Sequence, residues 1–168
     1  MSALNEDLLV EMVDEFLEPF GCDSDFSSDF SYDPEEERVY FSIIMSERAD
    51  KLFKKYVARK FGFDFQNIFM LSLLHEVGHF YTLHTFSDFR LKIAHQAKQL
   101  IEQELERLTP DDPCYDTVYS NYFDLSIEKV ATVWAVNYYK NNRKRCDDFY
   151  SKFEQTLKAE YERLGVTE

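Results

Sequence analysis

Glycine, proline and cysteine are scarce in this chain, and positive charge is scarcer than negative. With only four Gly and four Pro in 168 residues, and 45% hydrophobic and 30% charged residues, the composition is that of a globular protein. Cys22, Cys114 and Cys146 are odd in number, far apart and in no CxxC pair. They argue against a disulfide framework or a cysteine metal site and point to a reducing compartment. Nineteen Lys and Arg stand against 32 Asp and Glu, a net charge of −13. Such a surface repels phosphate backbones and anionic membranes, so neither a nucleic-acid nor a membrane partner is expected, except in the inverted sense of an acidic nucleic-acid mimic. No window approaches the ~20 apolar residues of a membrane span. The N-terminus, MSALNEDLLVEMVDEF, lacks the basic region and apolar core of a signal peptide. The expectation is a soluble, cytoplasmic protein.

What the chain has in quantity is aromatic residues. Sixteen Phe and eleven Tyr predict an aromatic core with rings left over to line a cleft. A length of 168 residues is most simply one domain, residues 1–168. Leu8, Leu9, Met12, Val13, Phe16 and Leu17 recur at helical spacing until Pro19 and Gly21. Residues 22–37, CDSDFSSDFSYDPEEE, hold seven acids and no base and read as an acidic loop. A calcium hand is not expected, because Ser28 and Pro34 stand where its glycine and glutamate belong, counting from Asp23. Arg38–Met45 is the best strand. Ser46 caps a basic helix from Glu47 to Lys60 that pairs with the acidic loop or binds an acidic peptide. Further helices are expected over 66–83, over 88–108 with Ser87 as cap and a stop at Thr109–Pro113, from Ser126 as cap, and over 147–164. Residues 114–123 read as a short helix or a loop over the site, and Arg143, Lys144 and Arg145 as cations complementing a helix C-terminus.

The chemistry concentrates in Leu71–His84, LSLLHEVGHFYTLH. On a helix of ~3.6 residues per turn, His75 and His79 stack on one face and can reach a single ion. Glu76 lies ~100° away, where a carboxylate can address a metal-held water without becoming a ligand. Two neutral imidazoles and one carboxylate suit zinc and leave a fourth position for water. Gly78 costs ~1 kcal/mol relative to Ala inside a helix, which calls for a reason in packing or access. His84 would point ~180° from His75, so the third ligand must come from elsewhere. Glu128 stands in the first turn of a later helix, and Ala131, Thr132 and Ala135 follow it along one side. These are small or short side chains that let a second helix approach closely. Tyr139, at ~1.5 Å per residue, is too far along that helix to assist the reaction, whereas Tyr81, His84, Tyr119 and Tyr122 stay as unranked candidates for polarising a substrate carbonyl.

HEVGH resembles the HExxH motif of the zincin metallopeptidases. The resemblance implies that His75 and His79 bind Zn2+ and that Glu76 is the general base of peptide-bond hydrolysis. The metzincin extension is absent, since Thr82 and Thr85 occupy the positions of its glycine and third histidine. The arrangement is instead similar to the gluzincin branch, which assigns the third ligand to Glu128, 49 residues after His79. Where that branch often carries an aspartate supporting a zinc-bound histidine, this chain has Thr132, with Asp124 as an alternative support. The implied fold is α+β, a mostly helical zincin-like domain with a small antiparallel sheet, in which the strand at Arg38–Met45 borders the cleft and pairs with an extended peptide or protein substrate. Two other classes remain open: a catalytically inactive zincin-like binding or regulatory protein, and an acidic interaction module.

Overall fold

In a computed structural model of the chain, residues 3–44, 47–109 and 111–166 are described. Helix α1 (Glu6–Leu17) buries Leu9, Val13, Phe16 and Leu17, and the Asn5 side chain caps it by accepting from the Leu8 N–H at 3.3 Å. A 3₁₀ turn, Glu18–Phe20, ends at Gly21, whose φ of 77° lies in the left-handed region. Three short strands follow: β1 (Asp23–Phe26), β2 (Ser31–Asp33) and β3 (Arg38–Phe41).

The sheet corrects the sequence reading in three ways. The stretch expected as an acidic loop carries two strands. The order is β1-β3-β2, with β1 parallel and β2 antiparallel to β3, so the sheet is mixed rather than antiparallel. Third, β3 is the central strand and is paired on both sides, which removes it as the edge for an extended substrate. The cause is non-local. Asp14 on α1 accepts from the N–H and hydroxyl of Ser24 at 2.6 and 2.7 Å, which holds a polar, strand-poor segment alongside β3. Val39 and Phe41 then point into the core with the alternation of a half-buried strand. Met45, the expected end of that strand, and Ser46, the expected cap of the next helix, lie outside the described residues.

Helix α2 (Glu47–Phe61) buries Phe53, Tyr56 and Val57. Several of its basic residues are matched by acids, though not by those of the loop. Lys51 pairs with Glu47, Arg48 and Lys55 reach Asp116, and Lys60 reaches Asp124 at 2.9 Å. Helix α3 (Ile68–Thr82), capped by Asn67, is buried nearly all round and forms the centre of the molecule. Helix α4 (Asp88–Arg107) is capped by Ser87 as expected but buries only Ala94. Ile93 and Leu100, at helical spacing with Ala94, Ala97 and Ile101, face solvent instead of the interior. The helix stops at Arg107, while Pro110, part of the expected stop, lies outside the described residues. Tyr115–Asp124 is helical, as α5.

In α6 (Ser126–Asn141), Ser126 is the first helical residue and makes no cap hydrogen bond. Helix α7 (Arg143–Leu164) begins four residues before the expected start. Arg143 and Lys144 therefore sit in its first turn, where Asp147 and Asp148 one turn on offset the unfavourable dipole. Arg145 instead reaches back to α1, donating to the Phe16 carbonyl at 2.5 Å with its guanidinium over the Phe16 ring. Among the described residues no helix is long and apolar enough to cross a membrane.

The contact that positions the site is α3 against α6. Gly78 faces Ala131 so closely that a Cβ there would lie 2.5 Å from the Ala131 carbonyl oxygen. Ala131 and Ala135 are fully buried in the same seam. The small residues noted in the sequence serve this approach.

Candidate metal centre

Helix α3 brings His75 and His79 onto one face, and the close approach at Gly78 brings Glu128 of α6 to meet them. His75 Nε2 lies 3.0 Å from Glu128 Oε2 and 3.1 Å from His79 Nε2, and His79 Nε2 lies 3.2 Å from Glu128 Oε2. All three side chains are buried. The three predicted ligands thus converge on one point from two helices.

The proton arrangement follows from Thr132. Its hydroxyl donates to the Glu128 carbonyl at 2.8 Å, which uses its only proton. At 3.1 Å from His75 Nδ1 it must therefore accept the ring N–H. That fixes His75 as the Nδ1–H tautomer when neutral, with the Nε2 electron pair aimed at Glu128 and His79. Three electron-pair donors then crowd within 3.2 Å of one another, and one exchangeable proton on His79 cannot serve every contact. A cation relieves the arrangement. Donor separations of ~3.3 Å are those of a tetrahedron with bonds of ~2.0–2.1 Å, close to the spacing found. Among the described residues these three form the one group of His, Cys, Asp or Glu that could hold a metal ion.

The electrostatics are those of a carboxylate held between two imidazoles. Burial by itself would raise the Glu128 carboxyl, but its contacts with the His75 and His79 imidazoles hold it well below the usual carboxylate range. Burial would lower His79, and the contact with Glu128 overcomes it and raises the imidazole. The buried His79 Nδ1 has no hydrogen-bond partner among the described residues, so His79 lacks the anchoring that Thr132 gives His75.

His75 and Glu76 both line a cleft of about 300 Å³, walled by Phe53 of α2, Glu102 of α4, and Tyr119 and Tyr122 of α5. Glu76 keeps 9% exposure, enough to address a small molecule in the cleft beside the histidines. Of the tyrosines and histidine left unranked, Tyr119 and Tyr122 are at this wall. Tyr81 donates to the Phe20 carbonyl at 3.2 Å and stacks on Trp134, and His84 is exposed on the 3₁₀ turn Leu83–Thr85. Burial, with the charges of Glu128, Glu76 and Glu102, pushes the Tyr122 phenol far up, so its hydroxyl stays a donor. Tyr139 is bound to Asp147, remote from the imidazoles, in keeping with its exclusion.

Two placements depart from the sequence reading. Asp124 does not support a histidine; its carboxylate pairs with Lys60 at 2.9 Å and accepts from Tyr56 at 3.1 Å, leaving that support to Thr132. Sequence reasoning also missed Lys98. Its ammonium lies 3.5 Å from Glu128 Oε1 and 5.0 Å from the centre of the Tyr122 ring. The signal was available, because Lys98 falls between Ala94 and Ile101 on the inward line of α4, where a lone base wants a buried acid. Comparison of the chain with protein-family models, with curated proteins and with solved structures gives no match.

Proposed function

We propose that this chain is a zinc-dependent metallopeptidase of the zincin type, with His75, His79 and Glu128 as ligands and Glu76 as general base. The observation that carries the reading is the convergence of three buried electron-pair donors, two of them bracketing a carboxylate that faces a cleft. The nitrogen and carboxylate donor set suits zinc. When bound, zinc brings the pKa of a held water to ~7 and polarises a carbonyl. The chain's own residues supply the rest. Glu76 accepts the proton of the attacking water and passes it to the leaving amine. Tyr122 donates to the oxygen that gains charge as the carbonyl is attacked. Phe53 and Tyr119 exclude bulk water from the cleft, and Thr132 keeps the His75 electron pair directed inward.

The test is metal analysis of protein purified without added zinc, followed by assay on a peptide library. One zinc per chain and cleavage of library peptides are expected. Glu76→Gln should keep zinc and lose hydrolysis, and Glu128→Ala should lose zinc. Full zinc retention in Glu128→Ala would show the third ligand to be misassigned. The central position of β3 and the small cleft favour one second reading, a metal-holding binding or regulatory protein. Zinc-loaded protein that leaves every library peptide intact would select it.

A further inference from the structure

Helix α4 covers the cleft with one face and presents an unusual second face to solvent. Of its 20 residues only Ala94 is buried. Phe89, Ile93 and Leu100 are 72%, 50% and 67% exposed, which places three of the large exposed apolar residues of the described chain on one helix. At ~100° per residue they fall within ~40° of one another, opposite Ala94 and Lys98. The line continues through Gln96, Gln103 and Arg107 in alternating steps of four and three, the spacing of a coiled-coil seam.

The charges beside that seam are ordered. Arg90 and Lys92 flank it near the N-terminus of α4, Glu104 and Glu106 near the C-terminus, and all four are exposed. None of them forms a salt bridge with another described residue. The whole helix holds four acids and four bases in a chain whose net charge is −13. Two copies repel at long range over most of their surface, and α4 is neutral ground.

We propose that α4 is the contact helix of a two-fold symmetric dimer, in which the α4 helices of two copies pack antiparallel with Phe89, Ile93 and Leu100 in the seam. Antiparallel seam layers set Ile93 against the partner's Gln103, and Leu100 against the partner's Gln96. The flanking positions then bring Arg90 beside the partner's Glu104 and Lys92 beside the partner's Glu106, and the two-fold repeats both pairs. Parallel packing would instead set Lys92 beside the partner's Ala97 and Glu104 beside the partner's Gln99, with no pair of opposite charges. The charge order therefore selects both the occupant, a second copy of this chain, and its direction. The dimer also clamps a loosely packed helix whose inner face brings Lys98 to Glu128 and Glu102 to the cleft.

The experiment is sedimentation equilibrium of the full chain across a concentration series, with circular dichroism as the control for folding. A reversible monomer–dimer equilibrium is expected, and Leu100→Glu should give monomer with unchanged helical signal. Glu104→Lys sets two lysines against arginines and should raise the dimer Kd about tenfold or more. Adding Arg90→Glu restores opposite charges and should return the Kd to within about threefold of the wild type. A wild type that stays monomeric at the highest concentration overturns the proposal. So does a dimer indifferent to Glu104→Lys, or one that the double change weakens further. These exposed charge changes keep the test decisive if Leu100→Glu fails to fold.

Discussion

Gly78→Ala is the sharpest probe of the α3–α6 contact on which the site rests. A methyl group on Gly78 would meet the Ala131 carbonyl oxygen at 2.5 Å, its Cα at 2.9 Å and its carbonyl carbon at 3.0 Å. All three atoms are backbone, so no rotamer change relieves the clash. Ordinary contacts lie at ~3.5–4.0 Å between carbons, so the two helices must part by roughly 0.5–1 Å. Overpacking of this kind costs about 1–3 kcal/mol. Alanine's better helix propensity returns about 1 kcal/mol. The balance is a loss of up to about 2 kcal/mol, equivalent to at most about 8 °C in Tm for a chain of this size. The same displacement separates Glu128 from the imidazoles by more than the ~0.2 Å that metal bonds tolerate. Zinc affinity should therefore fall about tenfold or more. Urea unfolding of the metal-free protein measures the first effect, and competition with a chromophoric chelator the second. Gly78→Ala protein as stable as the wild type, with unchanged zinc affinity, would refute the close approach of α3 and α6 and the convergence built on it.

Thr132→Val keeps the shape of the side chain but strips the acceptor from His75 Nδ1, so zinc affinity should drop about 10–100-fold in chelator competition, while helix content holds. Lys98→Met removes a cation 3.5 Å from Glu128 Oε1; zinc should bind about tenfold tighter, because that cation competes with the metal for the carboxylate. Burial raises the Cys22 thiol to about 11 and the Cys146 thiol to about 12. The folded chain then holds protons that the unfolded chain releases above pH ~8.5, so the stability these thiols contribute is full below that pH and is lost as pH rises towards 11–12. Urea midpoints should accordingly fall between pH 8.5 and 11. In the native protein at pH 8 a thiol reagent should label Cys114, which is exposed, and spare the other two.

The parts of the site that could be read in the sequence are those fixed by helical period. His75 and His79 share a face by their spacing, and Glu128, Ala131, Thr132 and Ala135 share one for the same reason. The glycine within the motif marked the place of closest approach. The sheet was not legible, because DSDF in β1 has poor strand propensity and owes its place to Asp14, nine residues before the strand begins. The outer face of α4 was not legible for a related reason. An apolar line implies burial but not the surface that buries it, and Ile93 and Leu100 have no intramolecular cover. Asp124 was a reasonable support for a histidine by position alone. A competing base, Lys60, decided its direction, and such pairings depend on distances that sequence spacing does not contain.

The proposed ligand frame belongs to α3 and α6, whereas residues 83–125, threaded between them, carry α4 and α5 and build the outer wall of the cleft. Apart from the Lys98 contact, holding an ion and admitting a guest are therefore duties of separate stretches of chain. Substitutions in the intervening stretch, Lys98 and Tyr122 aside, can change clientele without respacing the imidazoles and carboxylate.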